Sequence, residues 1–558
     1  MFEDLKAYKK HTPMYPDWKA QRDLQEAKRL EYLKQNPDKF NKEDVKRGEV
    51  LIRAVNIMDE YSQKNAENME MATETLMGQV AGIASMIGTA IGGVLAFAKK
   101  GAYLEKAHSL FKKVYPKITK DASSIGFVMI PTIICTLLAS IPAQFLAARL
   151  EVSASKRGRY TAMREDLKDA KNFAVLTDAQ IAQADKYAKE NPLEYKKEKK
   201  KDRSTLGESI ALLKDYVFKT KSYNEEKAKF NAKLDAQVRN FDKELSPQKI
   251  EDAKRDQQLL TQIVEEIDIA SQDYAENAEL ATSALTTTIF GFGTLFSMGL
   301  QKVLSLCKVK SASKVGLISQ SLSVLATIGA TLYQTAIQKE ASRIGRFKVK
   351  QALMDNPEKL VYVSDEASGS IKDIVANQRE KQGFLKFLFN VWKDKKAYDN
   401  YKKTDALYEK QFMEGVKKLE LSKEQLEDAK QLQQNTFMTF NKVDENSQKY
   451  SESVEATGNA IASPIVMLAS LVGISLGTAG KPPQTILQGS KQLVRYVSCI
   501  IASAIPAIII NAIITKKQKQ ASRVADMVSI NELNDYRHFA NYNDIDKQAT
   551  NVEAKSLA

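Results

Sequence analysis

The chain has 558 residues, with 83 Lys and Arg against 69 Asp and Glu, a net charge of +14, and only three His and three Cys. That length is too great for one compact core and implies several units. Histidines limited to His11, His108 and His538, and cysteines Cys135, Cys307 and Cys499 without pairing or metal spacing, leave no basis for a histidine metal centre, a catalytic triad or a disulfide framework. The mean hydropathy of −0.37 averages two unlike materials, long charged stretches and long uncharged apolar ones.

Residues 1–40 read as an N-terminal helical region whose opening, MFEDLKAYKKHTPMYPDW, lacks the apolar core of a signal peptide. Beyond it, six runs contain no Asp, Glu, Lys or Arg: 75–98, 122–148, 280–301, 315–338, 456–480 and 496–515. A bilayer's hydrocarbon takes about 20 residues of helix to cross, and all six runs reach that length. A single run could be a buried hairpin of a soluble bundle. Six runs in three pairs argue for an integral membrane protein with three transmembrane hairpins.

The pairing follows from loop length. Short loops lie within pairs, at 99–121, 302–314 and 481–495, and long polar segments lie between them, at 149–279 and 339–455. The first loop also reads as an amphipathic helix able to lie in the interface.

The flanks of the hairpins repeat three times. Helix starts read NKEDVKRGE from Asn41, SPQKIEDAK from Ser246 and SKEQLEDAK from Ser422, the last fitting a capping box with Gln425. Then come DEYSQKNAENMEMAT from Asp59, DIASQDYAENAELAT from Asp268 and DENSQKYSESVEAT from Asp444. After the second run of each pair stand ASKRGR from Ala154, ASRIGR from Ala341 and ASRVAD from Ala521. A weaker match follows at Phe173, Leu360 and Phe539. The expected division is repeat 1 at 41–192, a helical linker at 193–245, repeat 2 at 246–370, a second linker at 371–421, repeat 3 at 422–548 and a tail at 549–558.

Each helix entering the membrane carries a heptad seam: Leu51, Val55, Met58, Ser62, Asn65, Met69; Leu260, Val264, Ile267, Ser271, Tyr274, Ala278; and Phe440, Val443, Ser447, Tyr450, Val454. Steps of three and four mark one packed face, and the seams run unbroken into the apolar runs, so one continuous helix is expected from stalk into bilayer. The polar seam positions Ser62, Asn65, Ser271, Tyr274, Ser447 and Tyr450 form a stalk layer that sets register between helices or, alternatively, holds a ligand or ion.

Charge divides across each hairpin. Residues 265–279 hold six acids and no base, whereas 339–350 hold five bases and one acid; the other two copies follow the same pattern. This predicts three two-helix coiled stalks, each zipped internally by complementary charge. Small residues spaced by four, Gly78 with Gly82, Gly88 with Gly92, Gly293 with Ser297 and Gly473 with Gly477, suit close helix packing in lipid.

These features predict an all-α membrane protein with three hairpins around a pseudo-threefold axis, its termini and long linkers on the cytoplasmic side. The absence of charge within the runs argues against a proton pump, and no nucleotide or protease motif occurs. No enzyme, cofactor or metal is expected. The partners are the bilayer, with anionic headgroups matching the positive charge, and a protein on the stalks; nucleic acid is not expected. Two functions fit. One is a scaffold, tether or membrane-shaping factor. The other is a channel or carrier along the axis, using residues such as Gln79, Gln144, Gln320, Gln334, Asn459 and Asn511.

Overall fold

The computed structural model describes residues 2–97, 120–194, 246–272 apart from 249, 340–363, 384–478 and 486–533, with scattered positions between them. Among these residues the chain is helical, with no strand. The entering helices of repeats 1 and 3, Lys42–Phe97 and Lys423–Thr478, are 56 residues each, roughly 84 Å long at 1.5 Å per residue. Both run unbroken from polar stalk into apolar run. The corresponding leaving helices are Lys120–Glu165 and Ile486–Glu532. Repeat 2 supplies helical stretches at 250–272 and 340–355. Among the described residues no helix is long and apolar enough to cross a membrane. The runs 280–301 and most of 315–338 lie outside the described residues, as do Gly293, the loop 99–119 and the tail 549–558.

The helix starts follow local chemistry. Ser422 and Gln425 cap each other reciprocally, each backbone N–H donating to the other's side chain at 3.1 Å. Asn41 Oδ1 accepts from Glu43 N at 3.0 Å and caps the helix that starts at Lys42.

The seams are buried, but they do not build three separate stalks. Leu51, Val55 and Met58 join Leu260, Val264 and Ile267, and Phe440 and Val443, in one hydrophobic core drawn from all three repeats. The leaving helix of repeat 1 packs on the entering helix of repeat 3 as well as on its own partner. The weak match after the leaving helices marks a clasp. Phe173 ends a short 3-10 turn, is fully buried, and meets Phe437 of repeat 3 edge-on at 5.9 Å. Leu360, in the equivalent turn of repeat 2, packs on Gly48 of repeat 1. Phe539 lies outside the described residues.

Two outer pieces brace this bundle. The N-terminal helix Tyr15–Gln35 sends the buried Arg29 to Gln262 Oε1 at 2.5 Å and to the carbonyls of Lys359 and Val361 in repeat 2. Trp18 of the same helix is partly buried against the core. The linker helix Phe384–Lys417 lays Tyr398 and Tyr401 against Phe347, and its Glu409 bridges Arg53 and Lys350 at 3.0 and 2.8 Å.

A candidate polar ring and the cavity above it

The site grows from one step in each seam. Ser62, Ser271 and Ser447 are 0% exposed and come together near the bundle centre. Each pairs with the serine opening the leaving-helix motif of its own repeat: Ser62 with Ser155, Ser271 with Ser342 at 2.7 Å, and Ser447 with Ser522. A buried hydroxyl needs a partner, and a serine pair satisfies two at once.

The residue after each seam serine reaches the next repeat. Gln63 Nε2 donates to Ser271 Oγ at 2.5 Å, Gln272 Nε2 to Ser447 Oγ at 3.4 Å, and Gln448 Nε2 to Ser62 Oγ at 3.3 Å. The order is repeat 1 to 2, 2 to 3 and 3 to 1. It closes a ring with pseudo-threefold symmetry.

Aspartates three residues before the serines point the same way round. Asp59 of repeat 1 forms an ion pair with Arg346 of repeat 2, its Oδ2 lying 3.0 Å from Nε. Asp444 of repeat 3 pairs with Arg159 of repeat 1. At the third joint, Asp268 of repeat 2 lies opposite the leaving-helix position where the other repeats carry arginine and repeat 3 carries an aspartate, Asp526. The charge complementarity expected within each hairpin is therefore corrected. The ring's arginines pair with acids of a neighbouring repeat, and Lys156–Glu445 does the same, whereas Lys442–Glu532 stays within repeat 3. The physical reason is burial: with both faces of each stalk enclosed, the leaving-helix arginines reach inward across the joint.

Glycines let the helices approach. A Cβ at Gly158 would run into the Tyr61 carbonyl, and one at Gly345 into the Ala270 carbonyl. Repeat 3 has the fully buried Ala525 at this position, so it departs from its sisters at two neighbouring residues. A further cross-repeat link lies nearer the helix starts. Arg47 grips Asp256 at 2.6 and 2.9 Å and Asp428 at 2.8 Å.

The predicted polar layer is thus half assembled. Its serines converge, while Asn65, Tyr274 and Tyr450 turn to their own leaving helices. Asn65 sits beside Gly158 and donates to the Tyr61 carbonyl at 3.0 Å. Tyr274 Oη accepts from Lys348 Nζ at 2.5 Å. Tyr450 packs with Ala521 and Val524. Of the predicted packing glycines, Gly88 is buried; Gly78, Gly82 and Gly92 lie in the first entering helix, and Gly473 and Gly477 in the third.

On the side of the ring facing the apolar runs lies a cavity of about 160 Å³. Its wall includes Gln63, Gln272 and Gln448 and the acids Glu67, Glu70, Glu151, Asp268, Glu452 and Glu455, with no lysine or arginine among the described residues. Glu151 accepts from Thr73 Oγ1 at 3.0 Å. Burial raises the carboxyls of Glu151 and Glu452 above the usual range, and Glu151 pushes Glu452 further. Among the described residues, no group of three His, Cys, Asp or Glu is placed to hold a metal ion.

The motif comparison already holds the signal for the ring's arginines: RGR, IGR and VAD follow the leaving-helix serines. Its meaning needs the partner aspartates, which lie hundreds of residues away. No family model matches the chain, and no curated protein or solved structure is similar to it.

Proposed function

We propose that this chain is a membrane-anchored scaffold, in which an interlocked helical tower holds three apolar hairpins in one fixed arrangement. The observation that carries this reading is the ring, in which each repeat is bonded to both of the others. Rigid coupling of this kind serves a protein that sets geometry.

The membrane anchor draws support from the far ends of the helices. Leu76, Ile87, Ile134, Leu138, Ile461, Ile509 and Ile513 leave the bundle with exposed side chains, Leu138 at 71%. Large aliphatic side chains exposed together call for an apolar surrounding. The uncharged runs of repeats 1 and 3 supply spanning length on the same helices. The lysine-rich linkers then face anionic headgroups, and the stalk exterior offers a surface to a protein partner.

A second reading, a cation pathway along the axis, draws on the acid-lined cavity. On the other side of the ring, side chains of all three repeats fill a common core, so a path continuing along the axis would be blocked there. The scaffold reading is preferred for that reason.

Two measurements test it. Purified protein in liposomes should stay in the membrane fraction through an alkaline carbonate wash and leave the vesicles as tight to small ions as empty ones. Release of the protein into the wash would overturn the anchor. Ion leak suppressed by bulky substitutions at Gly88 or Gly473 would overturn the scaffold and make the pathway primary.

A further inference from the structure

The three joints of the ring are chemically unequal. At two of them a buried arginine from one repeat neutralises a buried aspartate of its neighbour, Arg346 with Asp59 and Arg159 with Asp444. At the third, Asp268 is 8% exposed and Asp526 is 1% exposed. Asp268 is well served, accepting from Gln272 Nε2 and Ser447 Oγ at 3.2 Å each. Both carboxylate oxygens of Asp526 lack a hydrogen-bond partner among the described residues. Ser447 and Gln272, which bond Asp268, also bond Ser522, one helical turn before Asp526, so the joint encloses two buried carboxyls, one of them bare. Both cannot be charged there at modest cost.

We propose that the Asp268–Asp526 pair is a proton-binding site that joins repeats 2 and 3, the shared proton standing where the other joints have a guanidinium. One protonated carboxyl donates to the other, which satisfies Asp526 and removes one of two like charges. This inference rests on the ring and not on the membrane reading.

The surroundings set the balance. From the entering helix of repeat 2 come Glu265 and Asp268 itself, and from repeat 1 comes Asp59, all acidic. From the N-terminal helix comes Arg22, engaged with Glu265 at 2.5 Å. Arg523 lies on the same helix as Asp526, and the entering helix of repeat 3 contributes the neutral Ser447. Arg523 pulls both carboxyls down and Arg22 pulls Asp526 down, but burial and the neighbouring acids outweigh them. Burial, then Asp59, pushes Asp268 up to about 7, and burial, then Asp268, lifts Asp526 well above the usual carboxylate range. The pair titrates as a unit. A metal ion is a poorer occupant, since among the described residues no group of three His, Cys, Asp or Glu is placed to hold one.

The test uses the full chain in lipid or detergent. Infrared difference spectra between pH 6 and pH 9 should show a protonated-carboxyl band that Asp526→Asn weakens. A band of unchanged size in Asp526→Asn would overturn the proposal. Asp526→Arg rebuilds the joint of the other repeats, and its melting temperature should fall less between pH 5 and pH 8 than the wild type's. An equal fall in the two would overturn the proposal. Should Asp526→Arg not fold, the infrared comparison decides alone. A wild-type melting temperature that responds to sodium or calcium at fixed pH, and not to pH, would replace the proton with a metal ion and equally overturn it.

Discussion

Arg346 Nε lies 3.0 Å from Asp59 Oδ2, so a residue of the second repeat is neutralised by one 287 positions earlier in the first. Both side chains are almost fully enclosed. Arg346 also donates to Ser342 at 3.0 Å and to Gln63, so the pair is stitched into the ring from two repeats. Removing one member leaves a buried, uncompensated charge, and Arg346→Ala should cost about 3–5 kcal/mol. Combining it with Asp59→Ala should cost clearly less than the sum of the single changes. Chemical denaturation of the four proteins checks this, and simple additivity would mean the pair is not coupled.

The glycine positions give a second prediction. Gly158→Ala and Gly345→Ala each force a methyl group against a carbonyl of the neighbouring entering helix. Each should destabilise by about 1–3 kcal/mol, the range for overpacking a close contact. Ala525→Gly in repeat 3 should cost only about 0.5–1 kcal/mol, the ordinary cost of glycine within a helix. Melting curves of the three variants report the asymmetry.

The clasp formed by Phe173 should matter as much as the ring. Its ring is fully buried between repeats 1 and 3. Phe173→Ala should cost about 3–5 kcal/mol through lost transfer energy and the cavity left behind. Phe173→Leu should recover much of that loss, and denaturant midpoints distinguish the two.

Acidity of the cavity gives a fourth outcome. Glu151 and Glu452 have folded-state pKa values above their ordinary ones, so the folded protein holds protons the unfolded chain has lost. Stability from this pair is full below the unfolded carboxylate pKa of about 4.3. It is lost as pH rises through the raised folded values. Glu452→Gln should therefore melt with a shallower dependence on pH than the wild type. An unchanged dependence would mean that the pair is not protonated in the folded protein.

Much of the architecture was written locally. The Ser422 capping box, the seams from Leu51 and Phe440, and the unbroken passage of each seam into an apolar run depend on residues a few positions apart. The ring was legible in part. Its serines stand out as polar steps in an apolar seam, but each helix faces two neighbours. Successive seam positions diverge between them, so Ser62 turns to the centre while Asn65 turns to Gly158. The exchange of charge between repeats was not legible, since net charges along a segment carry no information on which neighbour a side chain meets. For the same reason segment charge does not single out Asp526, which stands where the other two repeats carry the arginine of the ring.

Hydrogen exchange across the stalks tests the central claim, that three repeats form one interlocked unit. In Arg346→Ala, which breaks the joint between repeats 1 and 2, backbone amides around Ser62, Ser271 and Ser447 should lose protection together, including those of the untouched third repeat. Loss confined to repeats 1 and 2, with the segment around Ser447 as protected as in the wild type, would mean that the stalks stand independently and would contradict the account.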